Sequence, residues 1–182
     1  MKQNARYKLI EVITENSESK QWESAVQEWD MVGCEIDPFC SSKCVCGQEN
    51  IKYLFHIEND LNGNHLFPIG SRCIKKFGRK DLDELVNVHE QMCKLLEAVK
   101  NNQFIEFSSK LFSKKLLLFL YENGAFPATT YNMGNPERDY QFLLDMFSKR
   151  NDPTTLQKKK INALIIQAII PFCKQRISEK SV

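Results

Sequence analysis

Cys40-Ser41-Ser42-Lys43-Cys44-Val45-Cys46-Gly47 places three thiols within seven residues, and Cys73 follows with 26 residues between it and Cys46. Thiolates grouped on one tight loop, completed by a ligand far along the chain, are how a small protein builds a tetrahedral zinc site. Gly47 fits that reading, because a turn that aims its N–H groups at thiolates has no room for a β-carbon and often needs positive φ. Cys73 falls just after Gly70-Ser71-Arg72, in the first turn of an expected helix, where the helix N-terminus favours a thiolate. Cys44, Cys46 and Cys73 are therefore three candidate ligands of one structural zinc ion. Cys40 is the first choice for the fourth, with His56 and Cys34 as substitutes. The seven cysteines then divide into four ligands and three core thiols, Cys34, Cys93 and Cys173, and no disulfide pairing is needed.

The elements around these residues follow from spacing and composition. Tyr7–Ile13 reads as a strand. Trp22, Ala25, Val26 and Trp29 keep the i, i+3, i+4, i+7 spacing of a short helix, and Met31–Ile36 reads as a second strand. A polar cysteine-bearing loop spans Pro38–Asn50. Ile51–Ile57 and His65–Ile69 have strand composition and flank Asn62-Gly63, a strong hairpin signal. A short helix starts at Gly70-Ser71 and ends near Gly78. From Asp81 the pattern is helical: Leu82, Leu85, Val88, Met92, Leu95, Leu96 and Val99 line one face of a long helix. Ser108 or Ser109 would cap a second helix that runs to Tyr121 and stops at Asn123-Gly124. Pro136 opens a third, and Thr154-Thr155-Leu156-Gln157 reads as a capping box for the last, with a kink or end expected at Pro171. The fold class is thus α+β, a zinc-binding module over residues 1–80 followed by a mostly helical bundle over 81–182, expected to pack on it.

Knuckle loop, hairpin and helix start, in that order, resemble the treble-clef type of zinc module. Two features depart from it: the loop has Cys44-x-Cys46 rather than Cys-x-x-Cys, and Phe77 stands where the helix would give a second ligand. A closer likeness rests on Cys44-x-Cys46-Gly47, Ile57-Glu58-Asn59, Asn62-Gly63-Asn64 and Pro68-Ile69-Gly70-Ser71-x-Cys73-Ile74-x-Lys76-Phe77. These stretches resemble a group of small zinc-binding proteins without an assigned activity, encoded by phages, prophages and other mobile elements, many in Gram-positive bacteria. The likeness is firm over roughly residues 22–79 and looser over the helical half, as at Phe119–Phe126. It implies a metal and a mobile-element origin, and carries no reaction.

Charge supplies the remaining signal. Over 182 residues, 25 Lys+Arg nearly balance 23 Asp+Glu, which excludes a histone-like or ribosomal degree of basicity. Residues 1–60 nevertheless hold 6 basic and 11 acidic side chains, net −5, and residues 61–182 hold 19 and 12, net +7. Arg72, Lys75, Lys76, Arg79 and Lys80 surround Cys73 without an acidic neighbour in residues 61–80, and Lys158, Lys159 and Lys160 form a second run. Both runs suit phosphate contacts or an acidic partner surface. Apolar runs fall short of the about 20 residues of a membrane span, no secretory signal opens the chain, and a cytoplasmic protein of a bacterial host cell is expected. No nucleophile elbow, phosphate-cradling glycine loop or paired-carboxylate motif is present, and four cysteine ligands would close the metal, so the chain reads as no enzyme. Two binding functions follow: engagement of a host protein, including its inhibition or redirection, or binding of DNA or RNA by the basic face.

Overall fold

The computed structural model describes residues 2–179, with side chains from residue 5 onward. Two compact units form: one comprises the chain up to His89 together with the segment from Ile177, the other Glu90–Arg176. The sequence places its change of character at 80/81; the units divide later, inside a continuous helix, and the C-terminal segment returns to the first unit.

The first unit is built on a four-stranded sheet ordered β3-β2-β1-β4, with β1 Trp29–Ile36, β2 Tyr53–Asn59, β3 His65–Ile69 and β4 Ile177–Glu179. β1 and β2 pair antiparallel, as do β2 and β3, whereas β4 runs parallel to β1, setting Cys34 against Ile177 and Ile36 against Glu179. β4 carries too few residues to show an alternation, and the sequence gives no sign of it. Leu54, Phe55, Ile57, Ile69 and Trp29 of the strands are fully buried, together with Ile74, Leu82 and Val86.

The segment expected as the first strand is a helix instead, α1 Lys2–Glu15. Leu9, Ile13 and Ser17 are buried one turn apart while Tyr7 is 70% exposed, so the apolar residues follow a 3.6-residue period and not an alternation. Short β-branched runs satisfy either pattern until a packing partner selects one. Two further short helices are α2 Trp22–Ala25, which continues as a 3₁₀ turn Val26–Glu28, and α3 Ser71–Ile74, which continues as Lys75–Phe77. Gly78 closes the latter at φ 71°, a conformation open to glycine at little cost.

Buried polar groups hold the loops to this sheet. Trp29 Nε1 donates to Ser17 Oγ (2.8 Å), which donates to the Ile13 carbonyl (2.7 Å). Glu28 accepts from the Glu18 and Ser19 N–H groups and from Asn59 Nδ2 (2.7 Å), and Asn59 Oδ1 accepts from the Leu61 and Asn62 N–H groups. Asn62 and Asn64 both donate to the Asn16 carbonyl beyond α1. The Asn59…Asn62-Gly63-Asn64 signature is thus a framework that fixes the hairpin and docks it on α1.

The long helix α4 Lys80–Lys100 forms as expected. In the second unit α5 is Lys114–Glu122, α6 Glu137–Ser148 and α7 Thr155–Leu164. The cap of α5 is Ser113, not Ser108 or Ser109: its hydroxyl accepts from the Leu116 N–H (3.1 Å) and donates to Gln91 Oε1 (2.8 Å). Residues 107–112 pack instead through Phe107 and Phe112, whose rings lie 4.8 Å apart. The Thr154/Gln157 capping box is present. At Pro171 the helix neither ends nor breaks; a π-helical turn, Ile165–Ile169, leads into α8 Ile170–Arg176. A widened turn relieves the clash between a proline ring and the carbonyl one turn earlier. Met92, Leu95, Phe112, Leu116, Leu117, Leu120, Leu143 and Ile169 form the core of this unit, joined by Cys93 and Cys173.

Candidate metal centre

The loop after β1 is set by one carboxylate. Asp37, 1% exposed, accepts from the Phe39, Ser41 and Ser42 N–H groups and from the Ser41 and Ser42 hydroxyls, at 2.6–3.0 Å. The Ser42 hydroxyl, with the other donors, holds this carboxyl far below the ordinary carboxylate range despite its burial. Ser42 then bridges to Ile51, which carries the chain into β2 and closes the loop as a compact knuckle. Asp37 is not among the residues singled out by type and spacing; its signal in the sequence is an Asp-Pro pair with serines four and five residues after the Asp, residue types that bond their own nearby backbone.

Within the knuckle the Cys44 N–H donates to the Gln48 carbonyl (2.8 Å), and the Gly47 N–H to the Cys44 carbonyl (2.7 Å). Gly47 lies at φ 90°, as expected, but a β-carbon there would meet only Lys8 at 3.8 Å, so the glycine serves the turn's backbone conformation and not a lack of room beside the thiols. The Val45 N–H donates to the Pro68 carbonyl (3.0 Å), fastening the knuckle to the end of β3, where the Phe67–Pro68 peptide is cis. α3 starts two residues later and brings Cys73 in.

Cys44, Cys46 and Cys73 converge, their sulfur atoms all within 4.8 Å of one another and each side chain buried. Cys73 Sγ lies 3.7 Å from Cys44 Sγ and 3.3 Å from Cys46 Sγ. Two thiolates at 2.3 Å from one tetrahedral ion stand about 3.8 Å apart, whereas a disulfide needs about 2.05 Å. The spacing matches shared ligation, and all three are free thiols. Backbone donors complete the picture: the Gly70 N–H points at Cys44 Sγ at 3.3 Å, and the Cys46 N–H also bonds that sulfur. The neighbouring Cys73 thiol and these N–H groups pull the Cys44 thiol below its ordinary range, while Cys44 and burial push Cys73 up. A cavity of about 220 Å³ opens beside the cluster, lined in part by Gln48, Asn50, Lys52, Tyr53 and Arg72.

The remaining ligand candidates stand elsewhere. Among the described residues, no further Cys, His, Asp or Glu joins the three thiols. Cys40, the expected fourth ligand, lies outside the group, in a turn at φ 51° whose N–H donates to the Asp37 carbonyl. Cys34 is buried in β1 between Ile177 and Phe55 of the neighbouring strands. His56 is held in the sheet by Glu35 and Phe67.

The basic runs are thinner than the sequence implies. Arg79 is engaged within the first unit: its Nη1 donates to the Trp29 carbonyl (2.7 Å), and its Nη2 to Asp30 Oδ1 (2.7 Å) and Asp81 Oδ2 (2.6 Å). Only 15% of its side chain is exposed. Lys160 Nζ pairs at 2.9 Å with the buried Asp139 and lies over the Phe142 ring. Arg72, Lys76, Lys80, Lys158 and Lys159 are exposed; so is Lys75, which bonds Asn87 Oδ1 (2.8 Å). Asp30 reaches Arg79 and Asp139 reaches Lys160 from far along the chain, while Asp81 pairs with Arg79 from two residues away, just past the acid-free stretch 61–80.

No helix among the described residues is long and apolar enough to cross a membrane. No family model, curated protein or solved structure matches the chain.

Proposed function

We propose that this is a non-enzymatic, zinc-stabilised binding protein of phage or mobile-element origin that acts by engaging a protein of its bacterial host. The observation that carries the reading is the burial of Cys44, Cys46 and Cys73 at tetrahedral spacing where the knuckle, the end of β3 and α3 meet. Soft thiolates select zinc among the common divalent ions. The three thiols come from the knuckle loop and from α3, and an ion among them would tie these two elements together. Zinc then serves as a clamp, and function falls to the surface.

Two observations favour a protein partner. Arg79 and Lys160 are consumed by internal ion pairs, which thins the basic face that a phosphate backbone would need. Phe39, 74% exposed on the knuckle loop, offers an aromatic anchor beside the acidic part of the chain. Nucleic-acid binding is the second reading, favoured by the exposed Arg72, Lys75, Lys76 and Lys80 around α3. Affinity capture from host extract, with and without nuclease, separates the two. A host protein retained after nuclease and lost with Phe39→Asp supports the proposal. Recovery that vanishes with nuclease, and with the Lys75→Glu/Lys76→Glu double variant, overturns it in favour of nucleic acid.

A further inference from the structure

The sheet carries a second group of metal-type donors, separate from the thiols. His56 Nδ1 lies 3.2 Å from His65 Nε2 across the β2–β3 ladder, and the other ring nitrogen, His56 Nε2, lies 3.0 Å from Glu35 Oε1 on β1. Two imidazole nitrogens at 2.0–2.1 Å from one tetrahedral ion stand about 3.3 Å apart. The pair therefore already has the separation of two ligands sharing an ion.

The backbone is irregular on both sides of His56 in ways that aim this ring. On β1 one extra residue, Val32, interrupts the pairing between Met31 and Gly33, which sets Gly33 opposite His56. The Gly33 backbone faces the His56 ring, where a β-carbon would come into ordinary contact with Cδ2 at 3.4 Å. On β3 the ladder steps from Leu66 to Ile69 while β2 steps only from Ile57 to Phe55, so Phe67-Pro68 bulges opposite His56. That bulge lays the Phe67 ring flat on the imidazole, centroids 3.8 Å apart and planes 10° apart. Bulges re-aim side chains and recur beside functional sites. Glu35 stands where the outer partner of a metal-bound imidazole stands; with the proton on Nε2 facing Glu35, His56 turns the lone pair of Nδ1 towards His65 Nε2, the hydrogen-bond contact an ion would replace. His65 is exposed, leaving the shared side of the pair open to an incoming ion, and Glu58 pairs directly with His65 in the register.

We propose that His56 and His65 form a second metal site, for a divalent transition ion of the zinc class, with Glu35 as the positioning residue behind His56 and water completing the shell. It requires no ion at the cysteine cluster.

The test is a Zn²⁺ titration of the full chain, followed by calorimetry and by ¹⁵N shifts of the histidine rings. One equivalent beyond any held by the cysteines is expected to shift His56 and His65 together. His65→Gln, an exposed change, should remove that equivalent while leaving the amide spectrum intact, as should His56→Gln. Glu35→Gln should weaken it about 10-fold or more. Absence of saturable binding at these rings, a shift of one histidine alone, or an equivalent unchanged in both histidine variants overturns the proposal. Cysteine-site metal is read separately, since histidine variants leave it in place.

Discussion

The Ser42 hydroxyl donates to Asp37 Oδ2 at 2.6 Å, across the loop that leads into the cysteine knuckle. That bond and its four companions fold residues 37–42 around one carboxylate, two residues before the first clustered thiol. The position of the thiol cluster therefore depends on a carboxylate that stands outside it.

Asp37→Ala should destabilise the first unit by about 3 kcal/mol, since it strands buried N–H and hydroxyl donors. The folded carboxyl lies below its unfolded value, so its stabilisation is complete above the unfolded value of about 3.9 and is lost as pH falls from there through the folded value. Urea melts should show a gap between wild type and Asp37→Asn that is constant at neutral pH and narrows in acid. A gap independent of pH down to strong acid would contradict this origin.

Cys44→Ser, Cys46→Ser and Cys73→Ser should each lose bound zinc, and Cys40→Ser should keep it. Chelation of the wild-type protein should lower the melting temperature by about 10 °C or more, because an ion held only by the folded state stabilises it by mass action. Elemental analysis and calorimetry read both. Loss of metal in Cys40→Ser would restore Cys40 as a ligand.

Arg79→Ala and Arg72→Ala, near neighbours in sequence, should differ sharply. Arg79 satisfies the Trp29 carbonyl and two carboxylates, and its removal should cost about 2 kcal/mol. The exposed Arg72 should cost less than about 0.5 kcal/mol. Equal effects in chemical denaturation would show that the Arg79 network carries no stability.

Lys160→Met should destabilise the helical unit by about 2 kcal/mol, leaving Asp139 buried with Asn132 but without its cation. In the Asp139→Asn background the same change should cost much less. Additive effects in the double-mutant cycle would mean the pair contributes nothing.

Ile177→Asp should loosen β4 from β1, with hydrogen exchange rising at Cys34–Ile36, whereas Ser178→Asp on the exposed side should not. Unchanged exchange in Ile177→Asp would show β4 to be dispensable.

The chain's local spacing determined a good deal by itself. The Cys44-x-Cys46-Gly47 knuckle, the Asn62-Gly63 hairpin, the helix start before Cys73 and the Thr154 capping box are each specified within a few residues, because turns, caps and knuckles are closed by near neighbours. Tertiary structure decided what depends on partners far along the chain. It turned Tyr7–Ile13 into a helix by giving Leu9 and Ile13 a core to enter, and returned Ile177–Glu179 to the edge of β1. It withdrew Arg79 and Lys160 from the surface by supplying buried acids, and left Cys40 outside a cluster that its sequence position suggested it would join. It also set His56 against His65 and Glu35, through two bulges that no periodicity reveals. The physical reason is common to all of these. Residue type and short spacing fix which groups can bond, and only the folded chain fixes which of the competing partners comes within about 3 Å.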